Sequence, residues 1–214
     1  MKQDLYLFSG LGADKRIFQK LDLSGYSVNY IEWKLPLEDE TIEHYASRLL
    51  SQITVPKPTL IGLSFGGIMA IEVAKLIETE KVILISSIKS GNEVPFYYRW
   101  MAHAGIHKHI PSNFFKNTNF ITNWLFGTIS PFDKQLLKQI LSNTDPVFFR
   151  WALDQIIQWK NQTLPKNLVH IHGTGDRILP IRFRGYDILV KNGGHFMTLN
   201  RSDEINRILR LQLG

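Results

Sequence analysis

The strongest local constraint lies near the end of the first third of the chain. A short apolar run, Thr59-Leu60-Ile61, leads into Gly62-Leu63-Ser64-Phe65-Gly66-Gly67. A stretch rich in helix formers follows, Ile68-Met69-Ala70-Ile71-Glu72-Val73-Ala74-Lys75. The order is strand, tight turn, helix, with a serine at the apex of the turn. A residue at such an apex takes a strained backbone. Glycines two positions to either side are then required, because a side chain there would collide with the neighbouring strand or helix. The helix that follows points its positive end at the serine, which favours an anion at that place.

Short apolar runs alternate with helical patterns along the chain, without an internal repeat. Apolar runs at 5–8, 28–31, 59–63, 82–86, 168–172 and 186–190 read as strands. Helical patterns separate the early ones. From Thr41, a plausible N-cap, residues Ile42, Tyr45, Ala46, Leu49, Leu50 and Ile53 share one helical face up to Ile53. Residues 68–77 are apolar nearly all round, as in a buried helix. A last helix starts near Ser202, with Asp203 and Glu204 in its first turn and Ile205, Ile208 and Leu209 on its buried side. The alternation predicts an α/β fold: a mainly parallel six-stranded sheet with helices on both faces.

The alternation breaks between about Ile88 and Pro165. That stretch holds Trp100, Trp124, Trp151 and Trp159, four of the five tryptophans, and Leu136, Leu137, Ile140 and Leu141 at helical spacing. It is expected to be a helical insertion (88–165) in one core formed by 1–87 and 166–214. Its aromatics supply the core of an added layer. Trp100, Trp124 and, outside it, Phe196 are the candidates for lining a pocket.

A serine hydroxyl is a poor nucleophile at neutral pH unless a base takes its proton and a third group orients that base. Both partners sit at the ends of later strands. The run 168–172 leads into Gly173-Thr174-Gly175-Asp176, and 186–190 into Lys191-Asn192-Gly193-Gly194-His195-Phe196. Open α/β sheets place ligands at the C-terminal ends of their strands. Asp176 would hold one ring nitrogen of His195, and the other would take the Ser64 proton. The rival position for the acid, after 82–86, reads Ser86-Ser87-Ile88-Lys89 and offers no carboxylate. Asp133, Asp145 and Asp154 are read as surface or capping residues. His44 is read as exposed, and His172 as a packing residue beside the Asp176 loop. His103, His107 and His109 lie close together, but Gly105 interrupts the helix and no Asp or Glu accompanies them, so no metal site is expected.

Four motifs resemble the α/β-hydrolase superfamily: Ser9-Gly10-Leu11-Gly12, the Ser64 turn, His172-Gly173-Thr174-Gly175-Asp176-Arg177-Ile178-Leu179-Pro180, and Gly193-Gly194-His195-Phe196. The order Ser64, Asp176, His195 matches the superfamily's chain order. The resemblance implies that the insertion is a cap over the active site. It implies that the first strand here corresponds to the superfamily's third, leaving a minimal sheet. It also implies an oxyanion hole from the backbone N–H groups of Phe65 and Leu11. Many members have a histidine where this chain has Ser9. The activity implied is hydrolysis of a carboxylic ester or thioester with a partly apolar acyl or alcohol group, through an acyl-enzyme and with no cofactor. A lyase or acyltransferase using the same groups is the alternative within the fold. A ligand-binding protein with a vestigial triad is the alternative outside catalysis.

The remaining features exclude more than they assign. The net charge of +6 is scattered, without a run of five like charges or a nucleic-acid motif, and reads as a solvated surface. No apolar run approaches the ~18 residues of a membrane span. The N-terminal apolar run is too short for a signal peptide, so a cytoplasmic location is expected. The absence of cysteine rules out disulfides and a thiolate nucleophile.

Overall fold

The computed structural model describes residues 2–103, 119–181 and 185–214. Six strands form one sheet: β1 Asp4–Phe8, β2 Ser27–Tyr30, β3 Thr59–Leu63, β4 Lys81–Ile85, β5 Leu168–Gly173 and β6 Ile188–Val190. Their order is β2-β1-β3-β4-β5-β6, and every neighbouring pair is parallel. Parallel strands need crossovers, and the helices that provide them cover both faces. On one face Leu5, Leu7, Ile61 and Ile83 pack with Phe18, Leu137 and Leu209. On the other, Tyr6, Leu60, Val82 and Leu84 pack with Tyr45, Met69 and Phe148.

Helix α1 (Ile42–Leu49) begins as expected, with the Thr41 hydroxyl accepting from the His44 N–H, and buries Ile42, Tyr45, Ala46 and Leu49. It does not reach Ile53. It tightens into a 3-10 turn over Leu50–Gln52, and Ile53 is already extended. Pro56 and Pro58 follow before β3, and a proline has no N–H with which to continue a helical ladder. Helix α2 (Phe65–Ala74) starts three residues earlier than the apolar pattern suggests, directly after Ser64. Glycines at 66 and 67 are poor helix formers, but tertiary packing demands them. A Cβ on Gly66 would sit 2.1 Å from the Phe8 carbonyl oxygen. Strand β6 is shorter than 186–190. Ahead of it the Asp187 carboxylate, and not a backbone carbonyl, accepts from the His170 N–H at 2.8 Å.

Between β4 and β5 the described residues form α3 (Phe96–His103), α4 (Phe120–Phe126), α5 (Pro131–Ser142) and α6 (Pro146–Gln158). They continue the two core layers: α5 buries Leu136, Leu137, Ile140 and Leu141 on one face of the sheet, and α6 places Phe148 and Ala152 on the other. The Trp151 indole donates to the Glu40 carbonyl at 2.7 Å and lies 4.3 Å from the Tyr45 ring, fastening α6 to the α1 side. Asp133 is a buried capping-box residue of α5 and Asp145 is the N-cap of α6. The chain closes with α7 (Met197–Asn200) and α8 (Ser202–Leu213), the latter at the expected start. No helix among the described residues is long and apolar enough to cross a membrane.

Candidate active site

Ser64 lies between β3 and α2 with φ +54° and ψ −122°, a region that a non-glycine residue occupies only under strain. The surroundings impose it. The Ser64 N–H donates to the Ile85 carbonyl at 3.0 Å, and its carbonyl accepts from the Ser87 hydroxyl at 2.6 Å and the Gly67 N–H at 2.9 Å. The turn is closed to larger residues: a Cβ on Gly62 would be 2.4 Å from the Gly66 oxygen. Ser87 carries no signal in the sequence beyond its position after β4. Its role as a clamp on Ser64 emerges only from the pairing of β3 with β4.

Asp176 and His195 follow β5 and β6, and these neighbouring strands bring their loops together. Gly173 and Gly193 touch so closely that a Cβ on Gly173 would lie 2.2 Å from the Gly193 oxygen. The Gly175 N–H donates to that same oxygen at 2.9 Å. The outcome is a chain of two contacts. His195 Nε2 is 2.9 Å from Ser64 Oγ, and His195 Nδ1 is 2.9 Å from Asp176 Oδ2. With Nδ1–H donated to the carboxylate, Nε2 presents its lone pair to the serine hydroxyl. Asp176 Oδ1 accepts from the N–H groups of Ile178 and Leu179 at 3.0 and 2.8 Å. Burial pushes the Asp176 carboxyl up. The charge and hydrogen bond of His195, the Leu179 N–H and the nearby His172 outweigh that effect and hold it below the usual carboxylate range. Asp176 and His195 are both buried, while Ser64 is partly accessible.

The loop after β1 runs alongside the serine: a Cβ on Gly10 would be 3.4 Å from Ser64 Cβ. Leu11 stands in the turn closed by the Ala13 N–H on the Gly10 carbonyl, and Phe65 is the first residue of α2. Ser9 fastens this loop. Its hydroxyl donates to the Ala13 carbonyl at 2.7 Å and accepts from the Trp33 indole at 2.9 Å. The hydroxyl thus makes the loop's internal hydrogen bond at the position where many sequences with this motif have an imidazole.

The pocket candidates occupy different settings. Phe196 is buried and packs edge-on against Phe126, which in turn stands 5.8 Å from the His195 ring. Trp124 is half exposed beneath the Arg177 guanidinium. Trp100 is 67% exposed, so in the described structure its ring faces away from the packed layers. A cleft of about 340 Å³ lined by Leu50, Ile53, Val55 and Ile77 opens where β3 begins, at the opposite end of the sheet from Ser64. His44 is exposed and paired with Glu40. His107 and His109 lie outside the described residues, as does the side chain of His103. Among the described residues no three His, Asp or Glu side chains gather as metal ligands.

A parallel six-stranded sheet with a serine, a histidine and an aspartate linked at its C-terminal edge defines the class of protein. The family comparison agrees: residues 9–208 match the profile of the alpha/beta hydrolase family, and the chain belongs to that family. Curated protein sequences give no match. Solved structures share the fold at low identity. A presumed lipase from Acinetobacter baumannii AYE is 16% identical with a TM-score of 0.75, over 99% of this chain and 83% of that one. A thermophilic esterase from Thermogutta terrifontis is 17% identical with a TM-score of 0.72, over 99% and 89%. The enol-lactonase of Burkholderia xenovorans LB400 is 14% identical with a TM-score of 0.67, over 100% and 92%.

Proposed function

We propose that Ser64, His195 and Asp176 are a catalytic triad that hydrolyses a carboxylic ester or thioester. The observation that carries this reading is the pair of 2.9 Å contacts running from Ser64 Oγ through the His195 ring to the Asp176 carboxylate. Ser64 Oγ attacks the acyl carbon and its proton passes to His195 Nε2. The N–H groups of Phe65 and Leu11 receive the oxyanion, which the N-terminus of α2 also favours. Collapse of the tetrahedral species expels the alcohol or thiol, which takes the proton from His195. Water then adds to the acyl-enzyme, giving its proton to His195. The acid departs and Ser64 recovers its hydrogen.

The segment 88–165 serves as the cap in this reading. Its support is that α4 ends against the histidine loop, where the Phe126 carbonyl accepts from the Phe196 N–H at 3.2 Å. Phe126 and Phe196 then form an aromatic wall beside His195 and favour an apolar acyl or alcohol group. Trp124 stands at the rim. The esterase, presumed lipase and lactonase among the structures that share the fold are consistent with acyl substrates.

The test is turnover and labelling together. Purified protein should turn over members of an ester and thioester panel many times per molecule, and a fluorophosphonate should label Ser64 alone. Ser64→Ala should retain the fold and lose turnover by several orders of magnitude. Full activity in that variant, or labelling at another serine, would overturn the assignment.

A further inference from the structure

The carboxylate of Asp176 points where the turn after it lets it point. Both N–H groups that hold Oδ1 belong to Ile178 and Leu179, so the direction of Oδ2 toward His195 depends on that turn staying in place. The turn has little regular structure of its own, and its carbonyl oxygens point away from the carboxylate toward other side chains. The Leu179 carbonyl meets His172 Nε2 at 2.8 Å. The Ile178 carbonyl accepts from the Tyr98 hydroxyl at 3.0 Å and, at 3.4 Å, from that of Tyr97. A carbonyl oxygen only accepts, so His172 Nε2 carries the proton.

His172 is fully buried on β5, four residues before Asp176, and His170 Nε2 stands 3.3 Å behind its other nitrogen. Its Nε2 is also 3.8 Å from Asp176 Oδ2, the oxygen that meets His195. Tyr98 comes from α3, in the segment between β4 and β5. The turn is therefore gripped from the sheet on one side and from that segment on the other.

We propose that His172 and Tyr98 are positioning residues that aim Asp176, and through it His195, by holding the carbonyl oxygens of Leu179 and Ile178. The proposal rests on the triad reading above. A carboxylate displaced by a fraction of an ångström leaves His195 free to rotate, and misplacement of about 1 Å in an active site can cost up to about 10²-fold in rate. The effect falls on kcat, because neither residue is placed against the substrate.

The test compares His172→Met, His172→Gln and Tyr98→Phe in the full chain, with Ser64→Ala as the control for the triad reading. Methionine fills space without a donor, whereas glutamine offers an N–H near the place of Nε2. With a p-nitrophenyl ester, His172→Met should lower kcat about 10–100-fold with KM nearly unchanged, and His172→Gln should restore most of the loss. Tyr98→Phe keeps the ring and should lower kcat several-fold without altering the fold. The far-downfield proton resonance of the Asp176–His195 hydrogen bond should broaden or vanish in His172→Met and return in His172→Gln. Equal kcat in wild type, His172→Met and Tyr98→Phe would overturn the proposal. So would a glutamine variant as impaired as the methionine one although both are folded. If His172→Met fails to fold, Tyr98→Phe at wild-type kcat with an unchanged resonance would overturn it alone. An active Ser64→Ala would instead sink the triad reading.

Discussion

Replacing Asp176 with asparagine separates the charge of the acid from its shape, and the structure fixes how the new side chain must sit. Oδ1 accepts from two backbone N–H groups, at 3.0 and 2.8 Å, so only the amide oxygen can occupy that place. The amide nitrogen is then forced into the position of Oδ2, 2.9 Å from His195 Nδ1. An NH₂ group donates, so Nδ1 must become the acceptor and the ring proton moves to Nε2. That nitrogen can no longer take the proton of Ser64, and no carboxylate remains to stabilise the imidazolium. In a trypsin-like triad the same exchange costs about 10⁴ in kcat, equivalent to about 5.4 kcal/mol of barrier. The same order is expected here, read as kcat on a short p-nitrophenyl ester. The hydrogen bonds of the turn are retained, so the variant should fold. Its stability should respond differently to acid. The folded Asp176 carboxyl lies below its usual value. Its contribution is therefore present above the unfolded value of about 3.9 and fades as pH falls through the folded one. The variant lacks that contribution, so its unfolding free energy should fall less steeply than wild type below about pH 4. A kcat within tenfold of wild type would refute the reasoning. So would a variant structure with the Asn oxygen facing His195.

Three further outcomes follow from particular contacts. Gly66→Ala drives a Cβ to 2.1 Å from the Phe8 oxygen and 2.3 Å from that of Ser9, so it should destabilise by about 1–3 kcal/mol or more and disturb the loop after β1. Denaturant unfolding together with kcat would reveal both effects, and a variant as stable and active as wild type would contradict the close approach. Ser9→Ala leaves the Ala13 carbonyl and the Trp33 indole without their shared hydroxyl. A loss of about 1–3 kcal/mol is expected by thermal unfolding, with Ser9→Thr recovering part of it. Glu40→Gln removes the charge that accepts from His44, Arg48 and the Leu37 N–H. Burial raises the Glu40 carboxyl, but these partners outweigh it and set the folded value below the usual one. Wild type should therefore exceed the variant by about 1.5–3 kcal/mol near neutrality, and the gap should close as pH falls below about 4; a gap independent of pH would show that the ion cluster is not its source.

Some of this protein was decided within a few residues of chain. The turn at Ser64 was legible because its constraint is local and steric: a strained apex requires small flanking residues, whatever the rest of the molecule does. The central strands were legible for a related reason. A strand buried on both faces, such as β3, must be a short apolar run, whereas the edge strands β2 and β6 are only partly buried and were marked by their place in the alternation. Ser64, Asp176 and His195 could be placed at strand ends because the parallel sheet puts all such ends on one edge.

Tertiary structure decided what lies behind and between these residues. Periodicity reports that Leu137 or Phe148 is buried but not against which face of the sheet, so the pattern of the β4–β5 segment did not reveal that it extends both core layers. Aromatic content did not distinguish Trp151, whose indole finds the Glu40 carbonyl, from Trp100, which stays exposed. Helix α2 carries two glycines in its first turn, against propensity, because the carbonyls of Phe8 and Ser9 leave no room for a Cβ at position 66 and the Ser87 side chain leaves none at 67. His172 shows the limit most clearly. In the sequence it is one of two alternating histidines on a strand. Its hydrogen bond to Leu179 exists because the chain turns back after Asp176 and presents a carbonyl to it. A hydrogen-bond partner is set by three-dimensional proximity, and no local pattern of residues encodes which group will arrive.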